Sequence, residues 1–391
     1  MFDRFEGENI TYLRTDFAGE GAGVHKDDFV WLGTILCLVV IGIIMVYSSS
    51  AHVAIREKGN SFYFAFRQMI FAFFGLGILL FFRFLPYQKL QKGVPWLMAV
   101  TLLSLFLVLV PGIGYRVGGA SRWFRIFGIS VQPSEFAKLV VVIFLAWSMA
   151  RRPEILTDFK KGYLFHWAVV GVFILLIIKE PDLGMGVMIT LVTAVMLFIG
   201  GVRIKHLVLS VLPLIPLAYF LVWRVPYRWA RVLSFMDPWK DPLGSGFHLK
   251  HSFLAFGSGG WFGQGLSQSK MKLFYLPEPH TDFILSIIGE EFGFLGVLVI
   301  IALYLILIIK CFQLTLRVTD PFGRYLVVGI SVLIGLQALV NMLVVMGLVP
   351  TKGLTLPFLS YGGSSLILNM ICIGILMNIA SQHARGTRCA S

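Results

Sequence analysis

Three carboxylates sit where an apolar helix should have none. In LPEPHTDFILSIIGEEFGFLG, residues 276–296, an apolar run begins at Phe283 with Asp282 at its mouth and Glu290 and Glu291 two turns inside. Charged groups in hydrocarbon are expensive and as a rule face a cavity or a partner. A carboxylate at such a mouth can take a proton from a weak nucleophile, or it can cap the helix, a role worth ~1 kcal/mol; the two are compatible. Asp282 and Glu290 are separated by about 12 Å on an ideal helix, too far to share a proton, which argues against a carboxylate dyad. Glu290 and Glu291 are instead expected to face neighbouring helices, pair with Lys, Arg or hydroxyl groups and fix packing.

Other charges gather at the same level. Arg67 and Gln68 fall near the outer end of an apolar run, Arg122 and Arg125 just before another, and Glu135 and Lys138 in its first turns. Lys179, Glu180 and Asp182 join two more runs, and Lys352 precedes the last. One shared polar cavity explains this mixed set more cheaply than separate buried charges do; the plain alternative is a series of ordinary loop charges. Lys138 lies three residues after Glu135, so a local ion pair is the competing role for it.

The elements that must position these residues are membrane helices. The chain has 391 residues, 57% hydrophobic and 14% charged, with a mean hydropathy of +0.83, which excludes an ordinary soluble domain. Apolar runs long enough to cross a ~30 Å hydrocarbon layer recur at 29–48, 62–82, 94–111, 133–149, 163–178, 184–200, 204–223, 283–309, 325–346 and 356–380. The expected fold class is all-α: a polytopic integral membrane protein with about ten transmembrane helices and one long extracytoplasmic loop, 225–282. Residues 1–28 read as a flexible cytoplasmic segment, 29–381 as a single transmembrane domain and 382–391 as a cytoplasmic tail. The first run lacks a small-residue cleavage site and reads as a retained span.

With the amino terminus inside, the inner segments hold about 17 Lys and Arg and the short outer loops about 7, so both termini are expected in the cytoplasm. The net charge of +13 reflects this bias and suits anionic lipid. Being spread over many loops, it gives no reason to expect nucleic acid. Cys37, Cys311, Cys372 and Cys389 have no metal-binding or disulfide-framework spacing. The loop 225–282 is rich in aromatics, Gly and Pro and reads as a folded lid. Its glycine run, 257–265, lacks the Lys-Ser/Thr of a phosphate loop and is expected to be a hinge.

Four blocks then carry a resemblance: GGASRWFRIFGISVQPSEFAK (118–138), KEPDLGMG (179–186), GSGGWFGQGLSQSKMKLFYLPEPHTDFILSIIGEEFGFLG (257–296) and PTKGLTLPFLSYGGSS (350–365). In order and position they resemble the signature blocks of the SEDS family (shape, elongation, division and sporulation), ten-span peptidoglycan glycosyltransferases. SQSKMKLFYLPEPHTDF and PTKGLTLP are similar to the FtsW type more than to the RodA type. GFHLKHS (246–252) departs from the family wording and weakens any role for His248.

The resemblance implies lipid II as substrate, undecaprenyl diphosphate as leaving group and inversion at the anomeric carbon. It implies Asp282 as the general base, matching the essential aspartate of the HTDF motif. Lys138, Arg122 and Arg67, with Glu135 and Lys352 in the same set, would face the cavity, the cations holding diphosphate. Trp123 would either stack on sugar or prenyl carbons or serve as an interfacial anchor. His280 would either orient substrate, or join a metal site, or have no role. Gly362 and Gly363 are expected to allow close helix contact. A divalent cation, Mg²⁺ or Mn²⁺, is one possible stabiliser of the leaving group. No serine-lysine transpeptidase block is present, so the implied partners are a class B penicillin-binding protein and other division proteins, at the septum of a bacterial inner membrane. A lipid II transporter and a division scaffold are the rival readings.

Overall fold

The computed structural model describes residues 26–117, 120–126, 128–240, 246–272, 280–351 and 353–389. The chain enters through α1 (Lys26–Lys58), α2 (Tyr63–Phe84) and α3 (Gln88–Leu109). It then makes three strands, β1 (Tyr115–Val117), β2 (Ala120–Ile126) and β3 (Ile129–Val131), before α4 (Pro133–Arg151). A 3₁₀ turn and a π-helical turn lead into α5 (Phe165–Lys179), followed by α6 (Leu183–Ile199) and α7 (Ile204–Trp223). Two shorter helices, α8 (Pro226–Met236) and α9 (Phe247–Gly259), precede α10 (Ile284–Arg317), α11 (Pro321–Val345) and α12 (Gly363–Cys389).

Eight of the described helices are long and apolar enough to cross a membrane. The two other expected spans fall on α6, apolar but shorter, and on α7. The centre is built on α4 and α12. Apolar side chains on all sides of α4, Leu139 to Ala146, are buried, as expected of a helix without a polar face. α4 lies against α3, α6 and α11, and α12 runs along α2. Small residues let the last pair approach: a Cβ at Gly374 would sit 2.5 Å from the Leu79 carbonyl oxygen of α2.

The helical fold carries detail beyond the expected spans. Among the described residues β1, β2 and β3 form a small antiparallel sheet in the order β1-β2-β3, with Gly128 between β2 and β3 at φ +79°. The 225–282 segment, expected to be folded with a short helix around Phe247 to Phe256, carries that helix as α9 packed along α10, and α8 before it. The apolar run from 356 is helical only from Gly363; residues 356–360 are irregular backbone buried among helices, a setting in which such backbone is tolerated at membrane depth.

That irregular segment is tied down from several sides. Ser360 Oγ accepts the Leu356 N–H at 2.8 Å and donates to the Thr281 carbonyl at 2.5 Å. The Tyr304 hydroxyl donates to the Pro357 carbonyl, and Gln68 Nε2 donates to the Ser360 carbonyl. Phe358 adopts φ +66°, a conformation that persists in a bulky residue only where its surroundings hold it.

Candidate active site

Asp282 closes the turn before α10. The residue at the N-cap position is Phe283, with no side-chain capping bond. Its backbone is fixed: Asn341 Nδ2 donates to the Asp282 carbonyl at 2.9 Å and to the Leu354 carbonyl at 2.6 Å. The carboxylate is half-buried and lies over Gly353, where an added Cβ would stand 2.9 Å from Oδ2. Lys352, adjoining it, lies outside the described residues.

One turn along α11 from Asn341, Gln337 holds the next layer. Its Nε2 donates to the Thr355 carbonyl at 2.9 Å, and its Oε1 accepts from Lys138 Nζ at 2.7 Å. Lys138 is 1% exposed and also meets Glu135 Oε2 at 2.9 Å, an ion pair without hydrogen-bond alignment. Asn341 and Gln337 are four residues apart, about 6 Å along the helix. The Lys138–Glu135 pair therefore lies roughly one turn below the Asp282 level. Thr355 Oγ1 continues the chain of polar contacts to Ser365 Oγ at 2.9 Å.

The arginines come from the rim. Arg122 on β2 donates from Nε to the Glu180 carbonyl at 2.9 Å and from Nη2 to the Pro181 carbonyl at 2.6 Å, in the α5–α6 turn. Arg67 donates to the Tyr63 hydroxyl and to the Gly128 carbonyl, both at 2.9 Å. These acceptors are neutral, so they orient the guanidinium groups without cancelling their charge. Lys138 differs, because its partner Glu135 is a carboxylate. Trp123 is paired across the sheet with Tyr115, and alternation along a strand places it on the face opposite Arg122; the two do not project into one space.

Glu180 carries a signal that the sequence reading left unassigned. It is 0% exposed, and neither carboxylate oxygen has a hydrogen-bond partner among the described residues. Burial first, then the charge of Asp182, push it up to about 8, with Arg122 pulling the other way. At neutral pH Glu180 is therefore mostly uncharged and leaves the Arg122 charge uncompensated. Asp182 accepts the Met185 N–H and caps α6; Gln132 Nε2 reaches it at 3.4 Å.

His280 is buried, not exposed, with its ring 4.6 Å from Phe64 and 5.5 Å from Tyr361 between centroids. Burial pushes it down to about 4, so the imidazole is neutral at pH 7. Its carbonyl accepts the Tyr361 N–H at 2.9 Å, which ties the turn before Asp282 to the irregular segment before α12. Gly363 sits on the Phe71 ring, 2.7 Å from an added Cβ, whereas Gly362 makes only ordinary contacts.

Glu290 and Glu291 stand apart from this set. Glu290 accepts from the Ser269 hydroxyl and from the N–H groups of Lys270 and Met271. Glu291 Oε1 accepts from Lys272 Nζ at 2.9 Å and Ser48 Oγ at 2.6 Å. Just beyond them α10 breaks at Gly293, φ +67°. The glycine run fills the break: Gln264 and Gly265 N–H groups donate to the Glu290 and Glu291 carbonyls, and Phe294 and Leu295 donate to the Gly260 and Trp261 carbonyls. A Cβ at Gly263 would lie 2.2 Å from the Glu291 carbonyl oxygen. The run is a locked crossing and not the hinge expected from its composition.

Among the described residues no group of three or more His, Cys, Asp and Glu side chains could hold a metal ion, and the His280 ring is packed between aromatics.

A bundle of apolar helices with a polar layer at one end, closed by irregular backbone, defines a polytopic membrane protein. Comparison with known proteins makes this specific. The sequence pattern of the FtsW/RodA/SpoVE cell cycle proteins matches residues 29–385, and the chain belongs to that family. It is 42% identical over 359 residues to a probable peptidoglycan glycosyltransferase FtsW of Geobacter sulfurreducens, covering 92% of this chain and 96% of that one. It is 42% identical over 352 residues to the stage V sporulation protein E of Bacillus subtilis, covering 90% and 95%. Among solved structures, a chain of a peptidoglycan synthase complex that coordinates polymerization and crosslinking superposes with a TM-score of 0.76 at 29% identity, covering 91% of this chain and 98% of that one. RodA of Thermus thermophilus superposes with a TM-score of 0.66 at 26% identity, covering 90% and 96%.

Proposed function

We propose that this chain is a peptidoglycan glycosyltransferase that polymerises lipid II, with Asp282 as its general base. The observation that carries the reading is the Asp282 geometry: a backbone pinned by Asn341, a half-buried carboxylate at the mouth of α10, and a glycine at 353 that leaves it room. In the reaction a sugar hydroxyl of one lipid II attacks the anomeric carbon of the other substrate. The Asp282 carboxylate takes the hydroxyl proton as the new C–O bond forms, a contribution of roughly 10²–10⁴-fold. The bond from the anomeric carbon to the diphosphate breaks, and undecaprenyl diphosphate leaves with the electron pair. A single displacement inverts the anomeric centre.

The leaving diphosphate gathers negative charge and needs fixed cations. Arg122 and Arg67 keep their charge, since they bond only to neutral oxygens, and we assign them this role. Lys138, neutralised by Glu135, holds Gln337 and through it the Thr355 layer. It acts by positioning, and Glu135 acts with it. The orientation that puts this polar layer on the periplasmic side rests on the Lys and Arg bias. The septal role rests on likeness to FtsW-type proteins, and the class B transpeptidase partner on that likeness together with the synthase complex.

A broken α10 is also a transporter feature. Here the break is filled by backbone of the same chain, which leaves no gap for a substrate to cross. Purified protein with lipid II in detergent tests the choice: the enzyme makes glycan polymer and Asp282→Asn does not, whereas a transporter makes none in either form. A scaffold predicts that cells tolerate Asp282→Ala.

A further inference from the structure

At the other end of α4 and α11 a cleft of about 560 Å³ opens, lined by Gln91, Lys92, Trp147, Arg151, Asp320 and Phe322. It stands far from the Asp282 layer: Pro321 and Asn341 are twenty residues apart on α11, about 30 Å. We propose that this cleft binds the phosphate headgroup of an anionic phospholipid of the inner leaflet. The inference rests on the orientation proposed above and is independent of the catalytic role of Asp282.

The charges of the cleft are arranged for an anion. Arg151 holds its guanidinium over the Trp147 ring, 5.6 Å from the centroid, which fixes the charge in place without neutralising it. Neither Arg151 nor Lys92 makes a salt bridge among the described residues. The one acid among the lining residues, Asp320, is held in place by neutral donors: its Oδ2 accepts the Gly323 N–H at 2.8 Å, capping α11, and the Tyr87 hydroxyl at 3.1 Å. Gln91 adds an amide. Two cations and an amide donor therefore outnumber the single carboxylate around this space.

A free phosphate would use only that space, whereas a lipid has chains to place. Lys92, Trp96, Val100 and Leu103 follow helical spacing along one face of α3, and Trp96, Val100 and Leu103 are 77%, 62% and 57% exposed. The stripe starts at the cleft and descends along the hydrocarbon-facing side. A phosphodiester seated between Lys92 and Arg151 would lay its acyl chains down this stripe. Anionic lipid is enriched where such basic pockets meet the inner surface.

The test uses the full-length protein in detergent micelles, with retained lipid counted by native mass spectrometry. Phosphatidylglycerol should be retained in preference to phosphatidylcholine, and millimolar inorganic phosphate should not displace it. Lys92→Gln with Arg151→Gln should weaken retention roughly 30-fold, on the scale of two interfacial cations. Lys205→Ala, at another basic site on the same side, should leave it unchanged. Both cleft side chains are exposed, and each single substitution should lower retention by an intermediate factor if the double variant does not fold. Equal retention of the two lipids, equal loss in Lys205→Ala, unchanged retention in the cleft variants, or displacement by phosphate alone would each overturn the proposal. Retention is read without turnover, so its failure leaves the polymerase reading standing.

Discussion

Two ends of one short stretch of chain handle negative charge in opposite ways. Glu290 and Glu291 are enclosed: the residues are 1% exposed, Glu290 receives three hydrogen bonds, and Glu291 Oε1 accepts from Lys272 and Ser48 while its Oε2 has no hydrogen-bond partner among the described residues. At Asp282 the backbone is held as firmly, yet the carboxylate is half-buried above a glycine. Both acids sit at a break in regular structure, so proximity to irregular backbone does not separate a reactive acid from a structural one. What separates them is exposure: the Asp282 carboxylate stays partly open, whereas Glu290 and Glu291 are enclosed by the fold.

The contrast can be broken by exchanging losses. Asp282→Asn should remove a proton acceptor and nothing else. Lipid II polymerisation should fall by roughly 10²–10⁴-fold or more, while the thermal melting curve in detergent stays in place. Lys272→Met should do the reverse, because it leaves Glu291 buried beside Ser48 without its cation. A loss of roughly 3–5 kcal/mol is expected for a broken buried pair, seen as lower melting, with polymerisation per folded molecule retained. Replacing both members, Lys272→Met with Glu291→Leu, should recover much of that stability.

Lys138 sharpens the comparison from between the two extremes. Lys138→Met strands Glu135 and releases Gln337, so both melting and polymerisation should fall, and adding Glu135→Gln should recover melting more than activity. A smaller, pH-dependent effect is expected at Glu180. Its pKa is raised from 4.5 to about 8 in the fold, so the folded state holds the proton more tightly than the unfolded one between those values. Stability from this group is therefore greatest at low pH and declines as pH rises through about 8. Glu180→Gln should melt increasingly above the parent between pH 5 and pH 9. If ionised Glu180 offsets Arg122, the parent's KM for lipid II should also rise above pH 8 and that of the variant should not. A purely structural effect is expected at Gly263→Ala, where φ is +81° and a Cβ must push against the Glu291 carbonyl; melting should drop with little change in turnover.

Much of the scaffold was legible because membrane helices announce themselves: each of the ten apolar runs falls on a helix, and the acids at 290 and 291 find the Lys and hydroxyl partners that their cost demands. The sheet was not legible, since strands of three and seven residues carry too little periodicity to stand against flanking apolar runs. It mattered, because strand alternation separates Arg122 from Trp123. Gln337 and Asn341 did leave a signal, two amides four residues apart in an otherwise apolar span, and they connect Asp282 to Lys138. Glu180 was visible as one charge among several. Only the coordinates show it without a hydrogen-bonding partner.

The most direct measurement loads Asp282→Asn and the parent with equal amounts of lipid II and follows both bound substrate and glycan product. Equal binding, with polymer formed by the parent alone, is the predicted result. Polymer from the variant at the parent's rate, or a variant that fails only because lipid II no longer binds, would contradict Asp282 as the base.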